Sequence, residues 1–191
     1  MKRAALCLIL FLLAISASAA DLTQTRPSLE RITVDPTLIL VGDGDTVTIE
    51  WSEDDRERVR ILGIDTPETQ NRSHNLSYDQ SFGQKATGFA MGAFATATRV
   101  ELLRAAETDG YGRTLGYMFV DGKNYSTLIV RAGLAAETVS HYGDNGFPEE
   151  SQEVLEVSRT VGPVPFEPPH QFRRRMRELS EWTKKLELDD N

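Results

Sequence analysis

The chain has 191 residues, with 21 Lys and Arg against 29 Asp and Glu, and a formal net charge of −8. A domain of about 150 residues buries roughly 70% of its unfolded surface, so this length is sufficient for one domain with a sizeable core. The acidity argues against a partner held mainly by general electrostatic attraction to phosphate groups.

The first twenty residues have the pattern of a secretory signal peptide. Lys2 and Arg3 precede an apolar run over residues 4–15, and Ala17 and Ala19 then have the small-residue spacing of a cleavage site. A membrane anchor is the weaker alternative, because the run is shorter than the roughly 20 residues that a bilayer requires. We therefore expect a secreted or periplasmic protein whose mature form has no membrane anchor.

Removal of residues 1–20 changes both the charge and the cysteine content. The segment contains Lys2, Arg3 and Cys7, so 19 basic residues face 29 acidic ones in the mature chain and the net charge is −10. Cys7 is the only cysteine. Disulfides and thiolate metal sites are thereby excluded from the mature protein.

The rest of the chain is predicted to be a short arm followed by one domain. Residues 21–36 are polar with weak periodicity and are expected to form a loose N-terminal arm. Residues 37–191 form the domain, which includes a Pro-rich segment at 162–169 and a C-terminal helix. A monomer is expected.

Two alternating apolar runs predict a β-hairpin near the start of the domain. Val47, Ile49 and Trp51 share one strand face, and Val59 and Ile61 share another after an acidic turn. Two further strands are predicted over residues 99–105 and 112–123.

Helical patterns follow the hairpin and the later strands. A helix is predicted over residues 81–98, where Gly88 and Gly92 suggest close packing, and a short one over 125–135 with Gly133 as its stop. A final helix follows the prolines. This order predicts an α+β protein with a five-stranded OB-fold-type β-barrel and three packed helices.

Two aspartates flank the predicted hairpin. Asp45 begins one strand and Asp65 ends the other, and these two ends lie side by side in an antiparallel pair. Carboxylates brought together repel unless a cation lies between them, and oxygen ligands suit a hard ion such as Ca²⁺. The alternative is ordinary turn chemistry at Asp43-Gly44 and a strand-end cap at Asp65.

Three more residues are candidates for the chemistry of this site. Glu68 lies three positions after Asp65, within reach of acting as a general base on a water molecule. Arg60 and Arg113 are suited to a phosphodiester, because a guanidinium binds phosphate oxygens in a bidentate fork. Taken singly, each arginine is better explained by a surface ion pair.

The ordered motifs DGDT, RILGIDTPET, FGQKA, DGYGR and LIVRAGLA resemble the staphylococcal (micrococcal) nuclease family over roughly residues 38–139. The resemblance implies a Ca²⁺-dependent endonuclease that acts on DNA and RNA and leaves 3′-phosphate ends. It implies that the side chains of Asp45 and Asp65 and the carbonyl of Thr66 bind the calcium ion. Among the catalytic residues, Glu68 would activate or orient water.

The resemblance also assigns the groups that hold the substrate. Arg60 and Arg113 would hold the scissile phosphate, and Tyr111 and Tyr142 would contact the nucleic acid. A non-catalytic OB-fold module that binds nucleic acid or a protein partner is the main alternative, and a calcium-stabilised extracellular protein is a third.

Overall fold

The computed structural model describes residues 22–71 and 74–189, and the backbone alone for the last three of these. The predicted signal peptide lies outside the described residues. No helix within these ranges is both long and apolar enough to cross a membrane.

The described chain contains nine β-strands and five α-helices. The strands are β1 (Arg31–Val34), β2 (Ile39–Val41), β3 (Thr46–Glu50), β4 (Arg56–Ile61), β5 (Ile64–Asp65), β6 (Val100–Thr108), β7 (Thr114–Val120), β8 (Lys123–Asn124) and β9 (Ala136–Glu137). The helices are α1 (Gly83–Thr96), α2 (Tyr125–Arg131), α3 (Val139–Tyr142), α4 (Pro148–Val161) and α5 (Pro169–Asp189).

Seven strands form one curled sheet of mixed direction. Its order is β1-β6-β7-β4-β3-β2, with β8 beside β7. The predicted hairpin is confirmed as the antiparallel pair of β3 and β4, in which Thr46 lies opposite Arg60. The one parallel pair of this sheet joins β4 to β7 and places Leu115 opposite Arg60. Strands β5 and β9 form a separate two-stranded sheet.

The α+β class is confirmed, but the predicted five strands and three helices are too few. Helix α4 is not among the predicted helices, because its buried positions Ser151, Val154 and Val157 are separated by exposed acidic residues. Strands β1, β2, β5, β8 and β9 have at most four residues, so their alternation is too short to recognise in the sequence.

The N-terminal segment is not a loose arm. Strand β1 pairs with β6 along four residues, and the Gln24 amide donates to the Ala106 carbonyl at 2.9 Å. Arg104 of β6 also donates to the Pro27 carbonyl at 3.0 Å. The segment therefore lies along the edge of the sheet, where these main-chain groups find partners.

Helix α1 packs on the sheet through one face, with Ala86, Ala90 and Phe94 buried. The prediction of close packing at Gly88 and Gly92 is wrong, because a Cβ atom at either position would meet no atom of the surroundings within 4 Å. The main core lies between the sheet and helices α1, α2 and α4 and includes Tyr117, Tyr125 and Phe119.

Helix α5 packs on a second, smaller apolar cluster. Phe172 and Met176 are buried there against Leu76 of the segment between β5 and α1. The Gln80 side-chain amide donates to the Glu167 carbonyl at 2.7 Å, which fastens the Pro-rich segment to the same region. The C-terminal part of the chain thus lies beside the residues that follow β5.

Candidate active site

Asp45 and Asp65 converge on one guanidinium group. Arg60 Nη1 lies 2.9 Å from Asp45 Oδ1, and Arg60 Nη2 lies 3.2 Å from Asp65 Oδ1. Both carboxylates are buried, with 9% and 10% of their side-chain surface exposed. The predicted proximity of the two aspartates is therefore present, and a cationic group already bridges them.

The turn that carries Asp45 is fixed by its own backbone and by Thr66. The Asp45 amide donates to Asp43 Oδ1 at 3.1 Å, which closes the turn. Asp45 Oδ2 accepts hydrogen bonds from the Thr66 amide at 2.8 Å and from the Thr66 hydroxyl at 3.0 Å. Thr66 therefore holds the Asp45 carboxylate through two donors, and its carbonyl lies on the segment leaving β5.

Glu68 is held beside the same cluster by a residue that local sequence patterns did not identify. Arg173 of α5 forms an ion pair with Glu68 Oε1. The same guanidinium binds Asp65, with Nη1 3.1 Å from Oδ1 and Nη2 3.0 Å from Oδ2. The one sequence signal for Arg173 was the arginine cluster at residues 173–177, which is equally typical of a solvated helix face.

The main chain at Glu68 is fixed by the start of α1. Its amide donates to the Gln80 side chain at 3.1 Å, and its carbonyl accepts from the Gln80 amide at 2.9 Å. A Cβ atom added to Gly83 would lie 2.2 Å from the Glu68 carbonyl oxygen. The FGQKA motif thus contributes a glycine that permits close contact with the backbone of Glu68.

Burial and like charge raise the pKa values of two carboxyl groups here. Burial, with a further contribution from Asp45, raises the pKa of Asp43 to about 7. Burial also raises the pKa of Glu68, although Arg173 acts in the opposite direction. Burial acts to lower the pKa of Arg60, but Asp45 and Asp65 together raise it above its usual value. The site is therefore rich in negative charge that two arginines only partly compensate.

The remaining predicted residues are Arg113 and Tyr111, between β6 and β7, and Tyr142, in α3. Arg113 forms an ion pair with Asp109, with Nε 2.6 Å from Oδ2, and its guanidinium lies 5.6 Å from the ring of Tyr111. Tyr111 is 88% exposed. Tyr142, in α3, is 68% exposed and contacts His141. Their roles in substrate binding stay predictions.

The donors fit a hard cation better than a transition metal. Asp45 and Asp65 offer carboxylate oxygens and Thr66 offers a carbonyl oxygen, which are the ligands that Ca²⁺ prefers. Within residues 22–71 and 74–189, no three His, Cys, Asp or Glu side chains are grouped so as to hold a metal ion. The site thus offers a cation two carboxylate ligands, which Arg60 already bridges, rather than three or more acidic side chains.

Comparison with known proteins gives one consistent family. The family model described as Staphylococcal nuclease homologue matches residues 58–160. The thermonuclease of Staphylococcus intermedius is 38% identical over 96 residues, which is 50% of this chain and 54% of that protein.

Two further relatives have related names. The SPbeta prophage-derived endonuclease YokF of Bacillus subtilis is 34% identical over 103 residues, 53% of this chain and 33% of that protein. The thermonuclease of Staphylococcus hyicus is 31% identical over 99 residues, 51% of this chain and 56% of that protein. The matched part of the chain therefore spans between a third and just over half of the length of these relatives.

Proposed function

Because the chain belongs to the staphylococcal nuclease homologue family, we propose that it is a Ca²⁺-dependent endonuclease that hydrolyses phosphodiester bonds of DNA and RNA and leaves 3′-phosphate ends. The observation that supports this most strongly is the convergence of Asp45 and Asp65 on Arg60, with Glu68 beside them. The endonuclease name of the Bacillus subtilis relative YokF supports the same activity.

In this proposal the cation is held by Asp45, Asp65 and the Thr66 carbonyl. Bound Ca²⁺ supplies positive charge that stabilises the negative charge developing on the phosphate during displacement. The carboxylates of this chain fix the position of that charge, and Thr66 keeps Asp45 in orientation through two hydrogen bonds.

The side chains of Glu68, Arg60 and Arg113 carry out the remaining steps. Glu68 accepts a proton from the attacking water, and its buried position keeps its affinity for that proton above that of a solvated glutamate. Arg60 and Arg113 donate hydrogen bonds to the phosphate oxygens and stabilise the charge of the transition state. Tyr111 and Tyr142 contact the nucleic acid.

The substitution Glu68→Gln tests the chemical step. It removes the proton acceptor and keeps the shape of the side chain, so we expect the rate to fall by about 10² to 10⁴ while Ca²⁺ binding is retained. The assay is digestion of heat-denatured DNA and of RNA with Ca²⁺ or with a chelator, followed by analysis of the product ends. Glu53→Gln, on the exposed turn after β3, is the matched control.

The outcomes of this assay separate the candidate functions. Unchanged activity in Glu68→Gln would contradict its assignment as the base. Binding of nucleic acid without cleavage under any condition would favour the non-catalytic OB-fold module. Ca²⁺ binding without binding or cleavage of nucleic acid would favour a calcium-stabilised extracellular protein.

The proposal includes export as a monomer. The charged start, short apolar run and Ala17-Ser-Ala19 pattern support cleavage of residues 1–20 and a secreted or periplasmic location. N-terminal sequencing of the protein recovered from the periplasm or the medium tests this, and a retained Met1 would contradict it. Light scattering of the mature protein tests the oligomeric state.

A further inference from the structure

Arg173 differs from the other arginines near the start of α5. Its side chain is 31% exposed, whereas Arg174 and Arg177 are fully on the exposed face of the helix. It binds both oxygens of Asp65 and one oxygen of Glu68. A bidentate carboxylate contact of this kind is among the strongest charge-assisted hydrogen bonds in proteins.

The position of Arg173 is fixed by the packing of its helix. Its neighbour Phe172 is buried, as is Met176 one turn later, and both contact Leu76. At the same end of the helix, Gln80 binds the Glu167 carbonyl. These contacts fix the start of α5, so the backbone that carries Arg173 is held beside the two carboxylates.

Arg173 binds the two oxygens of Asp65, which is also a proposed ligand of the cation. Asp65 Oδ1 receives hydrogen bonds from both Arg60 and Arg173, and Oδ2 receives one from Arg173. These three hydrogen bonds occupy most of the roughly four lone-pair positions of a carboxylate, so a cation that binds Asp65 through both oxygens must displace a donor. Arg173 and a divalent cation on the same carboxylate would also repel each other electrostatically.

We propose that Arg173 is a residue of the site that competes with the divalent cation for Asp65 while it pairs with Glu68, and that it thereby sets the affinity of the site for the cation. When no cation is bound, Arg173 compensates the two carboxylates. When Ca²⁺ binds, Arg173 gives up at least part of its contact with Asp65. The inference rests on the cation dependence contained in the proposed function, but not on the nuclease activity.

The test compares Arg173→Met with Arg177→Met. Both substitutions remove one positive charge from the same helix one turn apart, so their long-range electrostatic effects are matched, but only Arg173 contacts the carboxylates. Calorimetric titration with Ca²⁺ is expected to show about tenfold tighter binding to Arg173→Met than to Arg177→Met, which corresponds to about 1.4 kcal/mol.

A second readout follows the protein without Ca²⁺. In chelator, Arg173→Met is expected to have the lower Tm, because Asp65 and Glu68 lose their partner, and Ca²⁺ is expected to raise its Tm more than that of Arg177→Met. Arg173→Lys keeps the charge without the planar fork, so its Ca²⁺ affinity is expected to lie between those of the wild type and Arg173→Met. This variant also serves if Arg173→Met does not fold.

The results distinguish this inference from the proposed function. The inference alone would be overturned if the wild type binds Ca²⁺ and cleaves nucleic acid, and if Arg173→Met and Arg173→Lys bind Ca²⁺ no more tightly than the wild type. Tighter binding in a protein that cleaves no nucleic acid would support the inference and contradict the nuclease. Absence of Ca²⁺ binding in every folded variant would overturn both.

Discussion

At Gly44 the chain has no room for a side chain. A Cβ atom there would lie 2.8 Å from the Thr66 methyl group and 2.9 Å from Cβ of Ala86. The Gly44 carbonyl accepts a hydrogen bond from the buried Tyr125 hydroxyl at 2.8 Å. The absence of a side chain thus lets the Asp43–Asp45 turn lie directly against Thr66, which is how Asp45 reaches its two donors.

Asp43 gives the site a pH dependence of its own. Its pKa is raised to about 7 in the folded protein, from an ordinary value of 3.8. The folded state therefore binds this proton more tightly than the unfolded state, so the contribution of Asp43 to stability falls as the pH rises from about 4 to about 7 and is constant above that.

Asp43→Asn is expected to remove this pH dependence. Asparagine keeps the acceptor for the Asp45 amide and has no charge, so the variant should be more stable than the wild type at pH 8, by an amount that shrinks towards pH 4.5. Urea unfolding in chelator across this range measures the difference. Parallel stability curves for the two proteins would contradict the raised pKa of Asp43.

At the scale of elements, the start of α1 determines where Glu68 lies. The Gly83 amide donates to the Gln80 carbonyl at 2.9 Å, and Gln80 in turn binds the main chain of Glu68. The helix thus begins against the segment leaving β5, with its first residue in close contact with that backbone. A helix terminus and a candidate catalytic residue are positioned by the same few contacts.

Gly83→Ala and Gly88→Ala are a matched pair in α1. A Cβ at Gly83 would collide with the Glu68 carbonyl, so Gly83→Ala is expected to lower the free energy of unfolding by about 1–3 kcal/mol and to reduce nuclease activity. Gly88 is exposed with free space, so Gly88→Ala should raise stability by up to about 1 kcal/mol and leave activity unchanged. Urea unfolding and the digestion assay check both, and similar behaviour of the two variants would contradict the close contact.

At the scale of the whole molecule, one buried ion pair joins distant parts of the chain. Arg104 of β6 binds Glu57 of β4 through Nε at 2.7 Å and Nη2 at 2.8 Å, and both side chains are 2% exposed. Glu57 also accepts from Thr114 and Trp51, and Arg104 donates to the Pro27 carbonyl. Three strands and the N-terminal segment therefore share one hydrogen-bond network.

Arg104→Met is expected to destabilise the protein by about 3–5 kcal/mol, because the buried Glu57 loses its close ionic partner and keeps only a 3.7 Å contact with Arg26. Burial acts to raise the pKa of Glu57, and the hydrogen bonds from Arg104, Thr114 and Trp51 bring it below its usual value. The loss should therefore be smaller at acidic pH, where Glu57 of the variant takes up a proton.

Unfolding in urea at pH 7 and pH 5 measures this effect. Addition of Glu57→Gln to Arg104→Met removes the unpaired charge and is expected to recover part of the stability. A double variant that is no more stable than Arg104→Met would show that the loss comes from packing rather than from the buried charge.

The predictable part of the site is the part formed by sequence neighbours. Asp45 and Arg60 lie at one end of the β3–β4 hairpin, and Asp65 follows in the short strand β5, so hairpin pairing and closeness in sequence were enough to predict that the aspartates would meet. Arg173 lies 108 residues after Asp65, and the contact depends on how α5 packs. Local patterns contain no information on that packing.

The same distinction applies to the fold. The long strands and α1 have enough periodic positions to be recognised, whereas β1, β2 and β9 form only because a partner strand is already in place. The role of Gly83 could likewise not be predicted from the sequence, because the Glu68 carbonyl oxygen comes close to it only in the folded chain.

The contact of Arg173 with Asp65 also bears on how the protein folds. It closes a loop of 108 residues, compared with 21 residues for the contact of Thr66 with Asp45. The chain entropy lost on closure grows only with the logarithm of loop length, so the longer closure costs about 1.5 kcal/mol more. Folding rates fall more steeply with sequence separation. The hairpin is thus expected to bring the two aspartates and Arg60 together early, whereas Arg173 joins them late, so the folding chain passes through states in which Arg60 alone compensates these carboxylates.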